Sequence, residues 1–419
     1  MKQALRSVAL SAALLSVLAA CSGGDQFRSS GGSRPAIDPI PPVSRDVQAG
    51  MDAWVASFLP RARAAGISEA TLNRTMRDVP FNPKVIESSN NQAEFKKSIW
   101  EYLDSAVSNT RVTTGRSLLA QHNALFSKIE ATYGVDREAV AAIWGMESNY
   151  GTTRGRTLII PALATLAYQG RRSSFFEQQL IGALKIIQAG DTDSAHMTGS
   201  WAGAMGHTQF IPTSYLAFAV DITGDGKRDI WSENPADALA STAAYLKRSG
   251  WQQGQPALVE VTLPEGFNYG LIGRDTRKDP SAWAAMGVRN TRGGALPNAG
   301  AASILLPGGQ GGSALMVFNN FRAILRYNNA DAYAIGVAHL AERIGGGGPF
   351  IKGFPRDPNK LDEAERIELQ KRLTAMGYDT GGTDGRTGSM TAAAVSAFQA
   401  ARGMTVDGIP DRDVLLALR

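Results

Sequence analysis

The stretch Val140-Ala-Ala-Ile-Trp-Gly-Met-Glu-Ser-Asn-Tyr-Gly151 decides how this chain is read. Val140, Ile143, Trp144 and Glu147 stand at i, i+3, i+4 and i+7, the spacing that gathers side chains on one buried face of a helix. A carboxylate is thereby set among tryptophan and aliphatic neighbours, where ionisation is disfavoured and the proton is held more tightly than usual. A general acid working near neutral pH needs that property. The plainer alternative is a helix-terminal glutamate that turns into solvent, as acids mostly do.

The chain beyond Gly151 favours the first reading. Pro161-Ala-Leu-Ala-Thr-Leu-Ala167 leads to Arg171-Arg172 and Phe175-Phe176, and then comes Gly199-Ser-Trp-Ala-Gly-Ala-Met-Gly-His-Thr-Gln-Phe-Ile-Pro212. Small residues at 199, 202, 203, 204 and 206 are expected to let backbone come close to a ligand, while Ser200 and Gln209 offer neutral hydrogen bonds. Neutral donors beside aromatic rings suit an acetamido sugar. His207 reads as a surface imidazole rather than a sugar contact.

These blocks closely resemble the lytic murein transglycosylase B family over roughly residues 51 to 345. The resemblance rests on Trp144-Gly-Met-Glu-Ser-Asn-Tyr-Gly151, on Ala162-Leu-Ala-Thr-Leu166 with Arg171-Arg172, on residues 200–212, and on Arg326-Tyr-Asn328 through Tyr333-Ala334. It implies a lysozyme-like core in which Glu147 is catalytic. It further implies that Ser200, Gln209, Tyr327, Asn328 and Tyr333 line the sugar groove, with Arg171, Arg172 and Phe175 nearby. The implied reaction is cleavage of the β-1,4 bond from N-acetylmuramic acid to N-acetylglucosamine with closure of a 1,6-anhydro ring, Glu147 serving as acid and then as base. Ordinary glycosidases use two carboxylates, and the matched groove blocks hold no second one. Two alternatives stay open: a hydrolytic muramidase of the same fold, and a non-catalytic scaffold that tethers membrane to wall.

Asp221-Ile-Thr-Gly-Asp-Gly-Lys-Arg-Asp229 has acids at positions 1 and 5 and glycine at 6 of an EF-hand-like loop, but Thr223 stands at 3 and Ser232 at 12. Some relatives carry a calcium loop here, with the closing carboxylate further along. The resemblance thus makes Asp221, Thr223, Asp225, Lys227 and Asp237 a candidate set for a structural calcium, against a plain turn held by Asx hydrogen bonds. No cofactor is required by the implied chemistry.

Residues 1–20 read as a secretory signal: Lys2 and Arg6, then an uncharged run from Val8 to Ala20, too short for a stable membrane span. Leu18-Ala-Ala-Cys21 resembles a bacterial lipobox, which implies lipidation of Cys21 and anchoring in a membrane. With Ser22 next to it, the implied site is the periplasmic, inner face of the outer membrane. Cys21 is the only cysteine, so disulfides and thiolate metal sites are excluded. Charge is +5 over 419 residues, and removing the signal leaves about +3. Lys and Arg are not clustered with aromatics, so nothing points to nucleic acid.

Gly, Ser and Pro mark residues 21–50 as a flexible tether and 346–358 as a linker. Between them, 51–345 is expected to be mainly α, an α+β domain whose strands fall in a small excursion at about 255–312, for example Ala257-Leu-Val-Glu-Val-Thr-Leu263. Residues 359–419 read as three short helices separated by turns at Asp384-Gly385 and Asp407-Gly408, an internal pseudo-repeat. Leu369-Gln370, Gly377-Tyr378, Ala394-Val395 with Phe398-Gln399, and Val406-Asp-Gly408 resemble the three-helix peptidoglycan-binding module. The implied partners are glycan strands of the wall, and a membrane through Cys21.

Overall fold

The computed structural model describes residues 37–91, 98–309, 311–354 and 361–419. The signal segment and Cys21 lie outside these residues. In chain order the first helices are α1 (Arg45–Ala64), α2 (Glu69–Thr75), α3 (Pro83–Asn90), α4 (Ile99–Ala106), α5 (Asn109–Gln121), α6 (Asn123–Tyr133) and α7 (Arg137–Ser148). Strand β1 (Thr157–Leu158), helices α8 (Ile159–Gln169) and α9 (Ser173–Ala189), and strand β2 (Thr198–Gly199) come next. After them stand α10 (Pro212–Phe218), α11 (Ala236–Arg248), β3 (Leu258–Thr262), α12 (Pro280–Ala285), β4 (Arg289–Asn290), β5 (Ser303–Leu305) and β6 (Ala314–Val317). Helices α13 (Asn319–Tyr327), α14 (Asp331–Ile344), α15 (Glu363–Ala375), α16 (Ser389–Ala401) and α17 (Arg412–Leu418) complete the chain. The mainly helical expectation is met.

Two compact units divide these elements. The first holds α1 to α3 and the chain from Thr110 to Gln253, thus α5 from Thr110 onward and α6 to α11 with β1 and β2. Its centre is the pair α8 and α9. Helix α8 is buried from Ile159 to Ala167, which is why its sequence shows no polar face. Helix α7 is as deeply set: Val140, Ile143 and Trp144 are 0, 0 and 3% exposed. Helix α1 starts at Arg45, inside the stretch expected to be tether. Ser44 caps it by accepting from the Val47 amide, and Met51 and Val55 on its inner face are buried. The apolar face overrides the Pro-rich composition just before it.

The second unit contains α4 and everything from Gly254 onward. Here the strand-like excursion is a four-stranded antiparallel sheet in the order β4-β3-β6-β5. Leu258 pairs with Val317 and Val261 with Ala314, so β6 lies just beyond the expected end of the excursion. Trp283 of α12 is fully buried beneath the sheet with Val288, Ile304 and Met316. Its indole N–H is satisfied by the Ala302 carbonyl at 2.9 Å.

Part of the stretch expected to be a free linker is pinned. The buried carboxylate of Glu260 accepts the amides of Ile351 (2.6 Å) and Lys352 (2.9 Å), and the Phe350 ring stacks on His339 with centroids 3.9 Å apart. Glycines at 345–348 end α14, but residues 350–354 have partners. A buried acid left without them would carry a large desolvation cost. Residues 355–358 of the expected linker lie outside the described residues.

The last three helices enclose their own small core of Leu369, Leu373, Val395, Phe398, Val414 and Leu415. The expected pseudo-repeat has a physical basis. Gln370, 1% exposed, accepts the Gly385 amide at 2.7 Å; Gln399, 2% exposed, accepts the Asp407 and Gly408 amides at 3.0 and 2.9 Å. Each turn is held by a buried glutamine from the helix before it.

Candidate functional site

Helix α7 ends with Asn149, Tyr150 and Gly151 at φ +47°, +58° and +83°. Two non-glycine residues in the left-handed region are strained, and such strain persists only where the surroundings hold it. They do. The Tyr150 ring packs edge-on to Trp144 at 5.6 Å, over Gly145, where a Cβ would come within 2.7 Å of that ring. The Tyr150 hydroxyl donates to the Arg111 carbonyl at 2.7 Å. The sharp stop puts Glu147 in the last turn between Met146 and Ser148, 2 and 1% exposed. Glu147 is itself half-buried, so the apolar stripe reaches the surface at the acid rather than enclosing it.

The chain after α7 is laced to residues 198–210. Strand β1 pairs with β2, Thr157 opposite Gly199 and Leu158 opposite Thr198. Ser148 donates from Oγ to the His207 carbonyl, and its Oγ accepts the Gly151 amide at 2.9 Å. Gly155 lies so close to Gly199 that a Cβ would sit 2.1 Å from its carbonyl carbon.

The small residues of this loop have a different role from the expected one. Space at Gly199 is taken by the Ala204 carbonyl, at Gly203 by the Leu163 side chain and at Gly206 by the Ile230 carbonyl. Close packing of the protein on itself, not approach of a ligand, requires glycine there. Ser200 is half-buried; its Oγ accepts the Ala204 amide at 3.1 Å and so folds the tight turn around it. Gln209 is strained at φ +53°, and its Nε2 donates to the carbonyls of Arg154 (3.1 Å) and Gly206 (2.8 Å). The atom it can offer a sugar is Oε1.

His207 is 3% exposed, which overturns the surface-imidazole reading. Its Nδ1 accepts from the Trp144 indole N–H at 3.2 Å, and its Nε2 lies 2.8 Å from the Ser232 carbonyl. Arg154 donates to that same carbonyl at 2.7 Å and pairs with Glu233. Burial pushes the imidazole down to about 4, the Ser232 carbonyl opposing this and the Arg154 charge adding to it. The folded chain therefore disfavours the second proton, and stability is lost as pH falls from the ordinary 6.5 towards 4. Arg154 and the burial of His207 escaped sequence reading, since nothing local shows which distant carbonyl an imidazole will meet.

Arg171, Arg172 and Phe175 stand at the start of α9, both arginines exposed, with the Arg172 guanidinium 4.1 Å over the Phe175 ring. A cavity of about 470 Å³ adjoins them, lined by Trp54, Tyr168, Ser173, Ser174, Glu177 and Gln178. Tyr327, Asn328 and Tyr333 belong to the second unit, on α13, its C-cap and α14, and are 5, 5 and 2% exposed. Their burial makes them part of that unit's core.

The acidic loop closes on itself. One carboxylate oxygen each from Asp221, Asp225 and Asp237 lie within 4.8 Å of one another. Asp221 accepts the amides of Gly224 and Gly226, which hold its carboxyl below the usual range. Asp237 is buried and accepts the amides of Ile222, Thr223 and Asp229; burial and the Asp221 charge push it up. Thr223 donates to Asp221 at 3.0 Å, while the Lys227 amide goes to Asp225.

A half-buried acid in the last turn of α7, whose neighbours Trp144 and Ser148 are bonded to a glycine-packed loop with neutral polar groups, is an arrangement suited to a glycan-cleaving enzyme of lysozyme type. The chain belongs to the transglycosylase SLT domain family, which it matches over residues 50–342. Residues 362–418 match a peptidoglycan binding domain. Among solved structures it is similar to SltB3 of Pseudomonas aeruginosa, crystallised with NAG-anhNAM-pentapeptide: 48% identity over 88% of this chain and 99% of that one, TM-score 0.84. It is similar to the Escherichia coli lytic transglycosylase Slt35 in complex with calcium, at 28% identity over 71% of this chain and 93% of that one, TM-score 0.60. The membrane-bound lytic murein transglycosylase B of Escherichia coli is 34% identical over 250 residues, 58% of this chain and 66% of that protein.

Proposed function

We propose that Glu147 carries the chemistry of a peptidoglycan lytic transglycosylase. The enzyme cleaves the β-1,4 bond between N-acetylmuramic acid and N-acetylglucosamine and leaves a 1,6-anhydro-muramyl end. The supporting observation is the relative that shares nearly half its residues over most of this chain and was crystallised with an anhydro-muramyl ligand. Glu147 gives its proton to the glycosidic oxygen as the bond to the muramyl C1 breaks. The muramyl acetamido oxygen stabilises the cationic centre, and the Ser200 hydroxyl orients that group. The C6 hydroxyl of the same sugar then attacks C1 and returns its proton to the Glu147 carboxylate. The acid is restored and no water is consumed. Gln209 Oε1 supplies an acceptor to the sugar, and Arg171, Arg172 and Phe175 flank the groove.

Mass spectrometry of digested cell wall tests the outcome. Muropeptides released by this reaction are lighter by one water than hydrolysis products. Reducing muramyl ends would instead make the chain a muramidase.

The Asp221, Asp225 and Asp237 oxygens converge closely enough to fit one calcium ion, with Thr223 and Lys227 on the same loop. Calcium would relieve the charge that Asp221 imposes on buried Asp237, and its role would be to fasten residues 221–237. Chelator is expected to lower the melting temperature by several degrees and excess calcium to restore it. Asp237→Asn should remove most of that response. A melting curve indifferent to chelator would exclude a structural calcium.

For location, the lipobox-like Cys21 and the similarity to a membrane-bound enzyme of Escherichia coli support lipid anchoring in the periplasm, at the outer membrane. Among the described residues no helix is long and apolar enough to cross a membrane. The C-terminal module would hold the enzyme to its glycan substrate.

A further inference from the structure

We propose that His207 is the positioning residue for Glu147, a neutral imidazole that clamps the last turn of α7 onto the loop at residues 198–210. This rests on the reading of Glu147 as the catalytic acid. Both residues that His207 grips on α7 bracket that acid. Trp144, three positions before it, donates its indole N–H to Nδ1 at 3.2 Å; Ser148, directly after it, donates to the His207 backbone carbonyl.

The partners fix the tautomer. Ser232 offers a carbonyl, which only accepts, so Nε2 carries the hydrogen. Trp144 offers an N–H, which only donates, so Nδ1 carries none. The Arg154 guanidinium, 3.0 Å from Nε2, gives its hydrogen to the Ser232 carbonyl instead. Gly151 closes the other side, since a Cβ there would lie 2.5 Å from Nδ1.

A second proton would do two things here. It would aim N–H at N–H across the Trp144 contact, and it would set a cation beside Arg154. Of the acids facing this cluster, Glu233 is paired with Arg154, and Asp229 accepts the amides of Trp231 and Ser232. His122 also lies edge-on to Trp144, with ring centroids 6.1 Å apart. Protonation of His207 thus releases Trp144 and loosens the turn that aims Glu147, while the rest of the fold remains. A fall in turnover on the acid side, removed in a variant that cannot take that proton, is the signature expected of His207.

The test compares turnover of purified peptidoglycan against pH for the full chain, His207→Phe, His207→Gln and Trp144→Phe, with circular dichroism following the fold. His207→Phe is expected to lower kcat by roughly ten- to a hundredfold, the scale of a small misplacement of a catalytic group, with KM within about twofold. His207→Gln, which can still accept and donate, should recover part of that loss and lack the acid-side fall. Trp144→Phe should move that fall to higher pH, because Nδ1 no longer faces a donor. Nitrogen-15 histidine spectra of the unaltered protein give a readout that needs no variant. One of the four histidines should remain neutral, protonated on Nε2, at about pH 5, between its value of about 4 and the ordinary 6.5. A kcat within twofold for His207→Phe, an acid-side fall that survives in His207→Gln, or four histidines all charged at that pH would overturn the proposal. Glu147→Gln run in parallel separates the two ideas: if it retains activity, the reading of Glu147 fails whatever His207 does.

Discussion

Glu147→Gln is expected to lower turnover of peptidoglycan by at least about a thousandfold, near the upper range for loss of general acid–base catalysis. The amide keeps the size of the side chain but can neither give the glycosidic oxygen a proton nor take one from the C6 hydroxyl. On the proposed mechanism one group serves both halves of the reaction, so nothing remains to carry either. The position is half-buried and the change isosteric, so stability should stay within about 1 kcal/mol of the unaltered chain. Residues 198–212 hold no carboxylate to substitute for it, and Glu233 is paired with Arg154. Glu147→Asp, which withdraws the acid by one methylene, should retain more activity than the amide but still lose most. The measurement is release of anhydro-muropeptides per unit time, with a melting curve on each variant. A folded Glu147→Gln enzyme that releases them at the normal rate would remove the acid assignment altogether.

Gln399→Leu should unfold the C-terminal module alone. The side chain accepts two amides, those of Asp407 and Gly408, and its own Nε2 donates to the Asp407 carboxylate at 2.7 Å. Leucine fills the volume but leaves the two partly buried amides without their acceptor, at roughly 1 to 2 kcal/mol each, while the Asp407 carboxylate keeps the Ile409 amide. The total, about 2 to 4 kcal/mol, is comparable to all that a three-helix unit of this size can hold. Calorimetry should show the module's transition lost and that of the rest of the chain unchanged. Co-sedimentation with insoluble cell wall should then drop at least several-fold, while cleavage of short soluble glycan continues. Gln370→Leu should behave alike, because Gln370 secures the first turn of the pseudo-repeat as Gln399 secures the second. Undiminished wall binding by an unfolded module would mean that other surfaces hold the enzyme to its substrate.

Much of this was legible in short-range pattern. The helical stripe that carries Glu147, the β-rich excursion and the three C-terminal helices all derive from spacings of two to four residues, which backbone geometry converts directly into faces. The Glu147 block, the loop at 198–212 and the acidic loop were likewise visible as contiguous runs. What the pattern misjudged lies at boundaries and in the roles of small or amphipathic residues. Residues 45–50 are coil by composition, yet the buried inner face of α1 makes them helix. Glycines at 199, 203 and 206 invite a ligand by their smallness, but their space is filled by Ala204, Leu163 and Ile230. His207 has the composition of a surface residue and the environment of a core one.

By itself, then, the sequence determined the helical class, the two sugar-polymer modules and the helical stripe that carries Glu147, because each of these is written in neighbouring residues. Only the tertiary structure decided how exposed Glu147 is, that His207 is buried against Trp144 and the Ser232 carbonyl, and that three aspartates spread over residues 221–237 converge within a few ångströms. Those properties depend on carbonyls and charges brought from distant parts of the chain, and a linear pattern carries no record of which backbone group a side chain will meet once the core has closed.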